Sequence, residues 1–175
     1  MYAYSDESTA SVETSATELF DFVDDQTHLS SHMSKPSWMM AGGTMSVEYD
    51  RERGRAVGSR LTLSGTVLGI RLKVDERVTE RHPPYRKAWE TEGQPQLLII
   101  GPYQMGFEIT PAGQSASLRV FIHYSLPTVW WQRPLGFLFA KAYAHWCTKR
   151  MADDAARHFA SDTTDALTST STKRA

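Results

Sequence analysis

The sequence predicts a single α+β domain, in which a curved antiparallel sheet of about six to seven strands wraps around a long C-terminal helix. Three observations predict it. Apolar and polar residues alternate between residues 44 and 126, Gly and Pro separate the alternating segments, and a helical period follows Pro134. A length of 175 residues suits one domain, and an apolar content of 41% is enough for a core.

Composition excludes several functional classes. The formal net charge of −1 gives no bulk attraction to nucleic acid, so no nucleic-acid partner is predicted. Cys147 is the only cysteine, which excludes an intrachain disulfide and a multi-cysteine metal site. No apolar run reaches about 18 residues, so no stable membrane insertion is predicted. The first ten residues lack the pattern of a signal peptide, and a cytoplasmic location is expected.

The N-terminal region predicts a short strand and two short helices. Thr9–Val12 suits a strand, and the residues before it are expected to be loose. Ser15 followed by Glu18 forms a capping-box pattern, and apolar residues then follow at helical spacing. A second short helix is predicted over Gln26–Met33, because Pro36 disfavours helix before it.

The middle of the chain predicts an antiparallel meander. Gly- and Pro-containing turns separate segments of strand length, and within Ser117–Leu126 the apolar residues recur at every second position. The six predicted strands are Thr44–Tyr49, Ser59–Val67, Gly69–Thr79, Tyr85–Thr91, Leu97–Thr110 and Ser117–Leu126.

The helical period after Pro134 predicts one long helix of roughly 25 residues, or about 37 Å. A helix of that length needs a long concave partner, and a curved antiparallel sheet supplies one. Ser161–Ala175 contains eight Ser or Thr in fifteen residues and predicts a disordered tail. The domain is therefore predicted to span residues 8–160.

Four stretches resemble the SRPBCC superfamily, the START and plant-pollen-allergen-like helix-grip proteins. The resemblance covers residues 8–160 and implies the helix-grip fold. The superfamily includes lipid carriers, hormone receptors, polyketide cyclases and aromatases, and oxygenase domains, so the resemblance constrains the fold more than the function. The stretches are Ala10–Asp25, Gly54–Ser64, Val74–Glu92 and Tyr143–Ala160.

In such a fold, a sheet that curls around one helix leaves an apolar space beside it. The first functional hypothesis is therefore binding of a small or medium-sized hydrophobic ligand, either lipid or aromatic and polyketide-like, with no cofactor. The same residue types also fill an ordinary core. The predicted ligand-lining residues are Leu61, Leu63, Val74, Glu76, Val78, Trp89, Tyr103, Met105, Phe107, Val120, Ile122, Tyr124, Phe139 and Trp146.

Glu76 is the most informative polar residue, because it shares a strand face with Val74 and Val78. A carboxylate on that face must be paired or protonated, and it can bind a ligand hydroxyl or act as an acid or base. The alternative is a salt bridge with Arg71 or Arg60, or a position at an exposed edge.

Tyr103 and Tyr124 are the other candidate catalytic residues, because each can donate a phenolic hydrogen bond to a carbonyl. The second hypothesis is therefore an enzyme resembling polyketide cyclases or dehydratases, although the sequence carries no strong catalytic signature. The alternative is that both are core tyrosines whose hydroxyls reach solvent.

A histidine pair and a tryptophan pair are two further features of the sequence. His28 and His32 have helical i, i+4 spacing, but no third ligand is evident and no metal is predicted. The aromatic residues around Trp130 and Trp131 are expected to pack partly on the sheet and partly over the mouth of a cavity. The alternatives are the surface of a homodimer or transient contact with a membrane. A protein-interaction module that uses these two residues is the third hypothesis.

Overall fold

The computed structural model describes residues 2–29, 44–67 and 69–172 and contains one seven-stranded sheet. Its order is β1-β7-β6-β5-β4-β3-β2, and all neighbouring strands are antiparallel. The α+β class and the strand number are thus confirmed. The strands are β1 (Tyr4–Val12), β2 (Thr44–Tyr49), β3 (Arg60–Val67), β4 (Ile70–His82), β5 (Arg86–Gln96), β6 (Tyr103–Ala112) and β7 (Ser115–Tyr124).

Two short helices follow the first strand, as predicted: α1 (Ala16–Asp24) and α2 (Gln26–Leu29). The capping box forms at the start of α1. The Ser15 hydroxyl accepts from the Glu18 backbone N–H at 3.2 Å, and the Glu18 carboxylate accepts from the Ser15 N–H at 3.3 Å. The remainder of the predicted second helix lies outside the described residues.

Several strand predictions were wrong at their ends, and β5 runs five residues past the predicted Thr91 to Gln96. The segment expected to be loose belongs to β1, which pairs with β7 from Tyr4 to Val12, and this pairing is a tertiary interaction that local composition does not report. The predicted strand Leu97–Thr110 begins only at Tyr103. Before it, the Gly101 N–H donates to the Ser125 carbonyl at 2.8 Å, so the chain turns close to the end of β7.

The C-terminal helix α3 (Arg133–Thr172) has 40 residues and is longer than predicted. The side that it buries is rich in small residues, among them Ala140, Ala144 and Ala155, which allow a close approach to the sheet. It extends past residue 160, and the predicted domain boundary there and the tail after it stay predictions. Among the described residues, no helix combines the length and apolar content needed to cross a bilayer.

The two faces of the sheet differ sharply. The concave face toward α3 is apolar and carries the core. The convex face carries ion pairs, such as those from Arg119 to Glu7 and Glu108. Phe121 is buried on that convex face, between the guanidinium groups of Arg86 and Arg119 at 5.3 and 5.5 Å. The concave face is therefore the side of the sheet that could enclose a hydrophobic ligand.

Candidate functional site

Glu76 lies in the middle of β4, on the concave face of the sheet. It pairs with Leu61 on β3 and with Thr91 on β5, and only 5% of the residue is exposed. The predicted inward position is confirmed. The alternative salt bridge is wrong for Arg60, which pairs with Glu92 at 2.9 Å, and the position is not an exposed edge.

Tyr103 is the hydrogen-bond partner of Glu76. Its hydroxyl donates to Oε1 of the Glu76 carboxylate. Tyr103 lies on β6 and Glu76 on β4, so the contact spans the intervening strand β5, which carries Trp89. Two of the three candidate catalytic residues are thus brought together, 27 positions apart in the sequence.

Burial raises the pKa of the Glu76 carboxyl to about 7, because the charged form loses its hydration. Hydrogen bonds from the Tyr103 and Trp89 side chains and the positive charge of Lys87 oppose this rise. Burial, followed by the neighbouring Glu76 charge, holds the pKa of Tyr103 well above its usual value. Near neutral pH the pair therefore consists of a neutral phenol and a carboxyl that can gain or lose a proton.

The helix α3 contributes a second polar pair to the same interior. The Tyr143 side chain hydrogen-bonds to Cys147, and the Glu76 charge is among the causes that hold the Tyr143 pKa well above its usual value. Burial raises the pKa of the Cys147 thiol to about 12, so the thiol stays protonated. The sequence analysis missed this pair, although its i, i+4 spacing on one helical face was a usable signal.

Tyr124 does not join the Glu76 pair. Its ring stacks on Tyr4 with 5.5 Å between the ring centroids. The causes that raise its pKa are burial and then the charge of Asp6, with Tyr4 next. Tyr124 is buried in the core, as the alternative of a core tyrosine expects.

Most of the predicted lining residues occupy the concave face. Two on α3 differ: Phe139 is 52% exposed, and Trp146 is half-buried at the edge of the core. The buried members of the predicted set are Leu61, Leu63, Val74, Glu76, Val78, Trp89, Tyr103, Met105, Phe107, Val120, Ile122 and Tyr124.

A cleft of about 350 Å³ opens at one end of the sheet. It is lined by Ile70–Leu72 of β4, by residues 94–96 at the end of β5, by residues 97–98 and 100–102 after β5, and by residues 127–129 and 132 before α3. Leu72 lies four residues before Glu76 on the same face, so at about 3.3 Å per residue their Cα atoms are about 13 Å apart. The lining of the cleft includes neither Glu76 nor Tyr103, and Leu72 is the lining residue that shares the Glu76 face of β4.

Comparison with known proteins identifies the architecture. No family model and no curated protein matches the chain. The structure of TTHA0849 from Thermus thermophilus is similar with a TM-score of 0.65 at 9% identity, over 91% of this chain and 99% of that one. Norcoclaurine synthase from Thalictrum flavum, in complex with dopamine and hydroxybenzaldehyde, gives 0.59 at 15% identity, over 88% and 84%. Major latex-like protein 151 from Panax ginseng gives 0.55 at 9% identity, over 89% and 97%.

The chain has the helix-grip fold that these structures share. The predicted fold is thereby confirmed. Because the identities are so low, the similarity concerns the fold alone, and function must be argued from the site.

A second buried polar cluster in this helix-grip protein holds α1 on the sheet. The Lys87 ammonium lies 2.9 Å from an Asp24 carboxylate oxygen and donates to the Asp24 backbone carbonyl at 2.8 Å. Arg81 reaches the same carboxylate at 2.9 Å, because a register shift after Val78 turns it to the concave face. These groups satisfy one another, and the sequence analysis missed them.

A metal site finds no support in the described part of the helix-grip domain, where no group of three or more His, Cys, Asp or Glu is placed to hold an ion. His28 stacks on Phe22, and its Nδ1 lies 3.0 Å from the Phe22 carbonyl. His32, the other half of the sequence pattern, lies outside the described residues.

Proposed function

We propose that this helix-grip protein binds a small or medium-sized hydrophobic ligand between the sheet and α3, with the ligand's polar group at Glu76 and Tyr103. The observation that carries the proposal is the Glu76–Tyr103 pair, enclosed on a face that is otherwise apolar. A buried carboxyl is costly unless something compensates for its lost hydration, and a buried carboxyl with a shifted pKa on an apolar face favours a role in ligand contact.

The cleft supports the proposal by its size and lining. A volume of about 350 Å³ lies within the range of small-molecule sites, and apolar residues such as Leu72, Leu97 and Ile100 contribute to its wall. Burial of about 200 Å² of apolar ligand surface would contribute about 5 kcal/mol at about 25 cal/mol per Å². Norcoclaurine synthase, which has the same fold, holds two aromatic molecules, and this favours an aromatic ligand over a lipid.

The polar pair selects the functional group on such a ligand. A neutral Glu76 donates one hydrogen bond and accepts others, whereas the ionised form only accepts. With a pKa of about 7, the carboxyl can serve a ligand hydroxyl or carbonyl when protonated and a ligand hydroxyl or amine when ionised. Ligands without any polar group would leave the pair without a new partner and should bind more weakly.

Ligand binding can be tested with thermal unfolding and native mass spectrometry against four probes: palmitate, cholesterol, naringenin and emodin. We expect the hydroxylated aromatic probes to stabilise the protein, because a ligand at 100 times its Kd contributes about 2.7 kcal/mol. Glu76→Gln should weaken their binding at least ten-fold.

The matched control is Glu90→Gln, which removes a carboxylate from the neighbouring strand but on the convex face, where Glu90 pairs with Arg77. That variant should bind like the unmodified protein. Failure of all four probes to shift the melting temperature or add mass would contradict ligand binding, and equal losses in both variants would contradict the role of Glu76.

A second candidate function is acid–base catalysis of the polyketide cyclase or dehydratase kind. It is favoured by one observation, the Glu76 pKa of about 7, because a general base works best with a pKa near the operating pH. Ionised Glu76 would take a proton from the carbon between two carbonyls of a bound poly-β-ketone. The enolate carbon would attack a second carbonyl, Tyr103 would donate a hydrogen bond to the developing oxyanion, and the proton would return from Glu76 to that oxygen.

The test is the rate at which a synthetic linear poly-β-ketone ester cyclises with and without the protein. We expect Glu76→Gln to lower the rate at least 10²-fold, because positioned proton transfer typically contributes about 10² to 10⁴. Tyr124→Phe is the matched control for Tyr103→Phe, since Tyr124 lies apart from Glu76. This function would be contradicted if the unmodified protein did not increase the cyclisation rate, or if the two tyrosine substitutions lowered the rate equally.

A further inference from the structure

The start of α3 and the loop before it expose an unusual number of large apolar side chains. Trp130 is 81% exposed, Phe137 76% and Leu138 68%. We call the whole group the aromatic tip; its members are Val129, Trp130, Trp131, Leu135, Phe137, Leu138 and Phe139. Soluble proteins rarely expose so many neighbouring large apolar side chains unless they form a contact surface.

The geometry of α3 explains why these residues remain exposed. The helix turns small residues, Gly136 and Ala140, toward the sheet at this end, and a Cβ at position 136 would lie 2.7 Å from Pro127. The larger side chains therefore project away from the core. Close packing of the backbone and exposure of the aromatic tip are consequences of one local sequence, PLGFLFA.

The chain segment that carries the aromatic tip has charges of one sign. Between Glu108 and Asp153 the sequence contains no acidic residue, although the whole chain has a net charge of −1. Arg133 and Lys141 are exposed beside the tip, and within the part of the chain that the structure describes neither pairs with a carboxylate. Arg71 adds a further positive charge at the adjoining cleft, whose lining includes no Asp or Glu.

We propose that the aromatic tip docks on the surface of an anionic lipid bilayer. Indole rings favour the interface between headgroups and acyl chains, and Phe137 and Leu138 would enter its apolar side. Arg133 and Lys141 would lie at the level of the lipid phosphates, where each cation near an anionic surface contributes favourably.

A second copy of this chain fits the same surface less well. In a two-fold dimer built on the aromatic tip, the same patch meets itself, so the Arg133 and Lys141 side chains of both copies would approach one another. The tip offers no acidic residue to balance them. An anionic lipid surface supplies the opposite charge that a second copy lacks.

The cleft lies next to the aromatic tip. Val129 belongs to the aromatic tip and also lines the cleft, and Gln132 lines it three residues later. Docking would place the cleft mouth at the bilayer surface, where a hydrophobic ligand would pass between lipid and protein. This consequence rests on the proposed function, whereas the docking itself does not.

The experiment is co-sedimentation of the full chain with vesicles of phosphatidylcholine alone and of phosphatidylcholine with 30% phosphatidylglycerol. We expect binding to the anionic vesicles, at least ten-fold weaker binding to the neutral ones, and a decrease when NaCl rises from 50 to 500 mM. Trp130→Ser/Phe137→Ser and Arg133→Glu/Lys141→Glu should each lower binding to the anionic vesicles at least ten-fold. Brominated acyl chains should quench the tryptophan fluorescence of the unmodified protein.

Each variant has a matched control with exposed residues elsewhere. Val57→Ser/Tyr85→Ser removes apolar side chains outside the tip, and Arg51→Glu/Arg53→Glu makes the same change in net charge. Both should bind like the unmodified protein.

The proposal is overturned if anionic and neutral vesicles bind alike, if controls and tip variants lose binding equally, or if vesicles do not bind. Light scattering that shows a dimer lost in the tip variants, without vesicle binding, would assign the surface to a second copy. Ligand binding by the soluble protein is measured separately, so either proposal can fail alone.

Discussion

The Glu76 carboxyl combines two properties that seldom occur together: near-complete burial and a pKa of about 7. Burial disfavours the charged form, and the hydrogen bonds from Tyr103 and Trp89 recover only part of the lost hydration. The residue therefore changes charge within the physiological range while its environment stays apolar. Ligand affinity and protein stability should both depend on that change.

The stability of the protein should show the Glu76 titration directly. The carboxyl binds its proton more tightly in the folded protein (pKa about 7) than in the unfolded chain (4.5). Its contribution to the free energy of unfolding is therefore fully present below about pH 4.5 and is lost as the pH rises through 7. At about 1.4 kcal/mol per pKa unit, the loss is on the order of 3 kcal/mol.

Urea unfolding at pH 4.5 and pH 8 measures this effect. Glu76→Gln cannot ionise, so its stability relative to the unmodified protein should improve by that amount between the two pH values. Glu90→Gln on the convex face should follow the unmodified protein. Parallel pH profiles for the Glu76 variant and the unmodified protein would show that the carboxyl does not titrate in this range.

At the scale of elements, the docking of α1 depends on charge as well as on apolar contact. Leu19, Phe20 and Val23 bury one side of the helix. At its C-terminal end, Lys87 contacts both the Asp24 carboxylate and the Asp24 carbonyl. A cation at a helix C-terminus also interacts favourably with the helix dipole. These hydrogen bonds and charges tie a short helix to the middle strands of the sheet.

Removal of Lys87 should therefore be far more costly than removal of an exposed lysine. We expect Lys87→Met to lower the free energy of unfolding by about 3 kcal/mol, because it leaves the Asp24 carboxylate buried with Arg81 as its remaining cationic partner. Lys73→Met, which breaks an exposed pair with Asp75 at 3.2 Å, should lower it by less than about 1 kcal/mol. Urea unfolding at pH 7 compares the two, and equal losses would contradict this role for Lys87.

At the scale of the whole molecule, several polar groups are buried and several large apolar side chains are exposed. This is the reverse of the usual distribution in proteins. The concave face holds Glu76, Tyr103 and Lys87, α1 adds the buried Asp24, and the aromatic tip is exposed. The cleft opens beside the tip, and Val129 belongs to both. A surface suited to lipid therefore adjoins a cleft suited to a hydrophobic ligand, and the titratable pair lies further inside on the Leu72 face of β4.

Properties that depend on neighbours a few residues apart were predictable from the sequence. The capping box at Ser15 needs only one helical turn, and the inward direction of Glu76 needs only the two-residue period shared with Val74 and Val78. Pairing of the first part of β1, before Thr9, was missed, because the partner strand β7 lies more than a hundred residues later in the sequence.

The meeting of groups from distant strands was decided by register and helix packing. Nothing local to Tyr103 indicates that its hydroxyl crosses β5 to reach Glu76, or that Tyr143 on α3 faces the same interior. The register shift that turns Arg81 toward Asp24 is equally a property of the assembled sheet. Alternation and capping follow from backbone geometry within a few residues, whereas a site built from four elements exists only once long-range pairing has set the distances between them.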